Sequence, residues 1–152
     1  MKIKILFTAI AMMLAMSSLH SQTTTSEGAE ATPTQAEEQA AEAGRGSVSR
    51  ATFTTAIVDD EPTDYRSEIE NTVPVVYFYA ELDGMAGQTA IHRWKFGDKV
   101  MADAKIAVKS PRFPAWSSNK MPPESTGLWI VEVLNGKGEV ISTHYLNYIP
   151  PL

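Results

Sequence analysis

Four groups of side chains have types and spacings that could do chemistry. His92 and Trp94 stand two apart in IHRW, so an extended strand puts imidazole and indole on one face. That pair offers a stacking surface with a hydrogen-bonding edge, or else a core tryptophan beside a satisfied polar neighbour. Arg112, Trp116, Ser117 and Ser118 fall in SPRFPAWSS, where an indole, a guanidinium fork and two hydroxyls would suit a sugar or a peptide. Gly84, Gly87 and Gln88 lie in the loop DGMAGQ, whose two glycines let backbone approach a partner or take positive φ. Asp59, Asp60, Glu61 and Asp64 crowd DDEPTD; convergent carboxylates of this kind hold calcium, but the EF-hand spacing is missing and an exposed acidic turn is the commoner outcome.

A catalytic set is harder to assemble. The chain has neither a G-x-S-x-G elbow nor H-E-x-x-H, and the glycine loop lacks the spacing, lysine and following helix of a phosphate loop. His92 and His144 cannot make a zinc site without carboxylates brought beside them by the fold. The expectation is therefore a non-enzymatic protein with no metal and no cofactor. An unrecognised hydrolase using His92 or His144 remains an alternative, and it needs an exposed imidazole next to a carboxylate.

The elements that must position these groups read as strands. Short apolar runs alternate with turn signals about every ten residues from residue 51 onward, as in an antiparallel sandwich or barrel. Strands are expected near 51–58, 73–82, 89–96, 99–108, 112–117, 127–134 and 139–148, with one short helical turn over Tyr65 to Asn71. Seven strands in a domain spanning 51–152 predict an all-β, immunoglobulin-like antiparallel sandwich without a disulfide. Pro111 and Pro114 mark 112–117 as an edge or irregular strand, because proline donates no ladder hydrogen bond.

Register follows from which residues must share a face. A tight two-residue loop at Gly97-Asp98 would set Trp94 against Met101 and Arg93 against Ala102, mixing charge into the apolar face. A shift of one residue sets Phe96 against Val100, Trp94 against Ala102, His92 against Ala104 and Arg93 against Asp103. This register predicts a three-residue loop or a bulge. In the second hairpin, a four-residue loop over Asn135–Gly138 would oppose Val133 to Val140, Val131 to Ser142 and Trp129 to His144, with an indole–imidazole contact. Trp94, Phe96, Ala102, Trp129, Val131 and Val133 are the expected core.

The flanking sequence bounds location and partners. Lys2 and Lys4 precede an apolar run from Ile5 to Met16, followed by small residues, the layout of a secretory signal peptide over 1–21 cleaved after Ser17 or Ser21. This 12-residue run, broken only by Thr8, is too short to span a bilayer, which takes roughly 20. Residues 22–50 hold five Glu against two Arg and only one aliphatic residue larger than Ala, Val48, and read as an acidic flexible linker. The chain has no cysteine, which excludes a disulfide framework and thiol chemistry. A net charge of −5 argues against nucleic acid as partner. The destination expected is periplasm or extracellular space, with no transmembrane segment in the mature chain.

The runs FTTAIVDDEPTD, VVYFYAELDGMAGQTAIHRWKFGDKVMAD and PRFPAWSSNKMPPESTGLWIVEVLNGKGEV resemble the bacterial family called domain of unknown function 2914, over about 51–148. The combination of G-M-A-G-Q-T, H-R-W, an Arg followed by W-S-S, and G-x-W-x-V-x-V carries the likeness. The resemblance implies a small domain of β-sandwich type in exported or membrane-associated proteins, and brings no activity, cofactor or catalytic residues. The function expected is a binding module for an envelope glycan or protein, displaying Arg112, Trp116 and the loop from Gly84 to Gln88. The alternative is an assembly protein that pairs through an edge strand.

Overall fold

The structure, a computed structural model, describes residues 44–152. The expectations for a signal peptide and for most of the linker lie outside the described residues. Seven long strands form where alternation is strongest: β1 (Ser47–Thr54), β5 (Val75–Asp83), β6 (Thr89–Phe96), β7 (Lys99–Ala107), β8 (Arg112–Lys120), β9 (Gly127–Leu134) and β10 (Val140–Ile149). Three short strands accompany them, β2 (Ile57–Val58), β3 (Glu61–Pro62) and β4 (Glu68–Glu70), and the described residues contain no helix.

The strands divide between two main sheets, ordered β1-β5-β8 and β4-β10-β9-β6-β7, with β2 and β3 a separate hairpin. In immunoglobulin terms β1, β5 and β8 take the places of strands A, B and E, and β6, β9 and β10 those of C, F and G. β7 sits beside β6 in the larger sheet. The two inner faces supply one core, including Phe53, Val76 and Phe78 from the smaller sheet and Trp94, Trp129, Val131, Val133 and Leu146 from the larger. Phe53 meets Trp94 across the sandwich with ring centroids 5.9 Å apart. Each such large apolar side chain, fully buried, contributes about 1.5–3 kcal/mol. Phe96 and Ala102 are partly buried against this core rather than within it.

The β6–β7 hairpin pairs Trp94 with Ala102, His92 with Ala104 and Arg93 with Asp103, and it contains a bulge, as the face argument requires. The bulge falls at Met101, so Phe96 opposes Lys99 and not Val100. Gly97, with φ of 56°, opens a tight Gly97-Asp98 loop of the kind a primed hairpin turn needs. Turn and face preferences are thus both met, with the extra residue displaced two positions into the strand.

The second hairpin departs from expectation. His144 opposes Val131, Ser142 opposes Val133, and Trp129 opposes Leu146. The Asn135 side chain sets this register: its Oδ1 accepts from the Lys137 and Glu139 amides, both at 3.0 Å, while Nδ2 donates to the Glu139 carboxylate. These bonds widen the loop to include Glu139, and a bulge follows at Ile141. The expected Trp129–His144 contact is therefore not made. Trp129 packs on Phe96 and donates Nε1–H to the Ser125 carbonyl.

Two further expectations change. Tyr65 to Asn71 forms no helical turn; Ile69 is buried between exposed Glu68 and Glu70, a period of two, and β4 runs parallel to the end of β10. β1 begins at Ser47, inside the stretch read as linker, because Val48 and Ala51 pack against the core.

Candidate recognition face

The outer face of the smaller sheet is built by register. β5 turns Val76, Phe78, Ala80 and Leu82 inward, so Tyr77, Tyr79, Glu81 and Asp83 face out. β8 is antiparallel to it and places Ser118 opposite Tyr77, Trp116 opposite Tyr79, Pro114 opposite Glu81 and Arg112 opposite Asp83. Trp116 is 42% exposed, and its ring lies 6.2 Å from that of Tyr77 in a tilted arrangement.

The acidic turn folds over this face. β2 and β3 make a tight hairpin whose central residues, Asp59 and Asp60, both have positive φ, 51° and 60°. Asp tolerates that conformation better than most residues because its short polar side chain bonds locally. Asp60 accepts the Trp116 indole N–H at 3.2 Å. Glu61 binds the Arg50 guanidinium at 2.7 Å and accepts from the Tyr79 hydroxyl at 3.4 Å. Arg50 also lies 5.6 Å over Tyr65 and 5.0 Å over Tyr79, which is fully buried although it sits on the outer face. The hydrogen bond to Glu61 raises the Arg50 pKa.

Asp64 anchors the base of the hairpin. Its carboxylate accepts from the Thr54 and Thr55 hydroxyls, the Thr55 amide and the Arg66 guanidinium. Burial works to raise its pKa, but these four donors outweigh it and hold the carboxyl down at about 2. Among the described residues no three acidic or histidine side chains converge on a point that would hold a metal.

The other expected site residues are scattered. Arg112 lies on the same face but is committed to Asp83 at 3.0 Å and Glu81 at 3.1 Å. Ser118 is exposed beside Tyr77. Ser117 points inward and is buried, because neighbouring strand residues face opposite ways. His92 is likewise fully buried, so neither can stand on a binding surface as expected. They meet in the core: the Ser117 hydroxyl accepts the Trp94 indole N–H at 3.1 Å and bonds His92 Nδ1 at 3.0 Å.

His92 Nε2 has no hydrogen-bond partner, and the Phe78 ring stands edge-to-face against the imidazole, centroids 5.0 Å apart. Burial, reinforced by nearby His144, pushes the His92 pKa down to about 3. His144 is half-buried against the same Phe78, bonds Ser142, and has its pKa lowered by burial. Neither imidazole has a carboxylate partner among the described residues, so the arrangement the hydrolase alternative requires is not formed.

The glycine loop is occupied by the chain itself. Gly84 and Gly87 take positive φ, 71° and 81°, yet Met85 between them is fully buried. Gln88 donates to the Gly44 carbonyl and accepts from the Gly136 amide, both at 3.2 Å, and Asn135 donates to the Arg45 carbonyl. A side chain at Gly46 would run into Met85. These residues therefore clamp the segment entering β1 instead of presenting backbone to a ligand. Surface hollows of about 260 and 490 Å³ lie around β4 and the end of β10, and no expected site residue lines either.

Tyr77, Tyr79, Arg50 and Tyr65 were not singled out from sequence. In VVYFYAELD the outward Val75, Tyr77 and Tyr79 are apolar or aromatic like their inward neighbours, and only Glu81 and Asp83 show the alternation, while Arg50 closes the acidic stretch 22–50. In sequence Asp60 is one carboxylate among the four of DDEPTD, with nothing to single it out.

A family model described as protein of unknown function (DUF2914) matches residues 87–147. Over that segment the chain is similar to that family, as the motifs indicate. The match runs from the end of the glycine loop through β6, β7, β8 and β9 into β10, and so includes Arg112 and Trp116. FTTAIVDDEPTD lies outside it, so the likeness expected from residue 51 is matched from residue 87. The hairpin over Trp116 and the Arg50 cluster thus belong to the unmatched part. No curated protein matches the chain. Among the described residues no helix is long and apolar enough to cross a membrane.

Proposed function

We propose that this chain is a non-enzymatic recognition module of the bacterial envelope, exported by its N-terminal leader, that carries a glycan on the outer face of its smaller sheet. One observation carries the reading. Trp116 is exposed, yet its indole edge is tied to Asp60 and its ring leans on Tyr77, so a stacking surface is held ready without ordering at the moment of binding. Aromatic faces of this kind take the apolar face of a sugar ring, and Ser118 and the hairpin carboxylates supply polar contacts at the rim.

The test is co-sedimentation of the full chain with a panel of insoluble polysaccharides that includes peptidoglycan, chitin, chitosan and cellulose. Trp116→Ala should lower retention at least tenfold while the thermal midpoint shifts by no more than a few degrees. Retention unchanged by Trp116→Ala, or no retention on any member, rejects the reading.

A second reading, assembly through an edge strand, is favoured by one feature. β4 pairs only with Asn147–Ile149 of β10, so Val140 to Leu146 borders no strand on that side. It expects self-association or partner capture indifferent to Trp116→Ala and abolished by Thr143→Pro.

A further inference from the structure

The outer face holds two aromatic clusters side by side, each a slot for a cation, and among the described residues only one of them holds a cation. In the first, Arg50 lies over Tyr65 and Tyr79 and its charge is met by Glu61 at 2.7 Å. That is a cation receptor, with aromatic faces to attract the charge and a carboxylate to neutralise it, although Arg50 Nε is left without a hydrogen-bond partner. In the second, Trp116 and Tyr77 supply the aromatic faces and Asp60 the carboxylate. Asp60 uses Oδ1 for the indole N–H, and neither Asp59 nor Asp60 forms an ion pair among the described residues. Of the nearby cations, Arg50 is bound to Glu61, Arg66 to Asp64, and Arg112 to Glu81 and Asp83. Arg112 also stands four residues from Trp116 along β8, roughly 13 Å away.

From this we infer that the second slot takes a cation carried by the ligand, and that the glycan is one built of amino sugars with free ammonium groups. The inference rests on the glycan reading above. An ammonium at the Trp116 ring would reach Asp60 Oδ2 while the sugar ring stacks. N-acetylation would remove both the charge and the room for that contact. An anionic sugar on the Trp116 ring would meet the Asp60 carboxylate, and the unpaired cation on this face, Lys120, stands four residues further along β8, roughly 13 Å away. The chain's own net charge of −5 acts in the same direction at longer range.

Isothermal titration of the full chain at pH 6 and low salt, with six-residue oligomers of glucosamine and of N-acetylglucosamine, tests it. The expected result is at least tenfold tighter binding of the glucosamine oligomer, weakened by added salt. Asp60→Asn should cost that preference about tenfold with no loss of thermal midpoint, because Asn tolerates positive φ and keeps an acceptor for the indole. Equal binding of the two oligomers overturns the cation slot and leaves the stacking platform standing. Trp116-dependent binding of hexalysine as tight as that of the glucosamine oligomer overturns the amino-sugar assignment. Failure of the glucosamine oligomer to bind, while a neutral glucan from the panel does, also overturns it; failure of every glycan removes the parent reading.

Discussion

The two sheets turn different faces to solvent. On the larger sheet, adjacent strands set Asp103, Arg93 and Glu132 side by side. Arg93 binds Asp103 through two bonds of 2.9 Å, and Lys95 meets Glu132 at 2.9 Å. Of its exposed apolar residues, Val100, Met101, Leu128, Val140 and Tyr145, only Tyr145 carries a strong hydrogen-bonding group, and its hydroxyl has no partner among the described residues. On the smaller sheet the exposed Trp116 is fixed by Asp60 and Tyr77, and Asp60 has no cation partner among the described residues. The difference is one of readiness. The larger sheet pairs its central charges, Arg93 with Asp103 and Lys95 with Glu132, and among the described residues carries unpaired Lys99, Lys105, Glu68 and Glu70 only on its outer strands β7 and β4. The smaller sheet instead sets a fixed aromatic surface beside the unpaired Asp60. Exposure alone does not separate them, since Tyr145 is more exposed than Trp116.

The sharpest way to break this comparison is to move from either outer face to the core. Trp94→Ala should cost about 3–5 kcal/mol in urea unfolding, because it opens a cavity and strips the Ser117–His92 pair of its indole partner. Trp116→Ala should cost less than about 1 kcal/mol. Similar costs for the two would mean that Trp116 is a packing residue and that the smaller sheet displays no free platform.

Acid offers a second separation. The His92 pKa falls from 6.5 unfolded to about 3 folded, so its contribution is full above about pH 6.5 and is lost as pH falls toward 3. His144, also lowered, adds in the same direction just below its unfolded value. Each fully engaged histidine gives a slope of about 1.4 kcal/mol per pH unit in that window. The stability profile of His92→Phe should flatten between pH 6 and 4, while amino-sugar binding measured at pH 6 stays as it was. A slope unchanged by the substitution would show that other groups govern the acid limb.

Asp64 acts lower still. Its stabilisation is present above about pH 4 and lost as pH falls through about 2. Asp64→Asn should cost about 2 kcal/mol at pH 7 by denaturant titration. It should also weaken glycan retention, because the hairpin that fixes Trp116 is anchored there. Retention intact in a destabilised Asp64→Asn protein would separate the hairpin from the platform. The smallest effect belongs to the larger sheet: Arg93→Ala should change stability by no more than about 1 kcal/mol, as expected of a half-exposed ion pair, and leave retention alone. A loss of retention there would place recognition on the wrong sheet.

How much of this was legible in the sequence depends on what each feature rests on. The seven long strands follow from alternation and turn residues, and so does the Trp94–Ala102 pair, since one face had to stay apolar. The second hairpin was missed because its register is set by one side chain, Asn135, whose bonds to the Lys137 and Glu139 amides no apolar pattern encodes. Ser117 stands next to Trp116 and Ser118 in sequence but on the opposite face, and the two prolines of SPRFPAWSS mask the regular alternation of β8 that separates them. The platform itself depends on contacts between segments far apart, Arg50 with Glu61 and Tyr65, and Asp60 with Trp116. Spacing along the chain carries no trace of those contacts.

The central claim is that recognition takes place at Trp116 on the smaller sheet. The three tryptophan indole N–H signals, assigned by single substitution and followed by NMR while a retained saccharide is added to the full chain, test it most directly. The account predicts that the Trp116 signal moves with saturating dependence while those of buried Trp94 and Trp129 stay in place. Saturable saccharide binding that leaves the Trp116 signal where it was would contradict it.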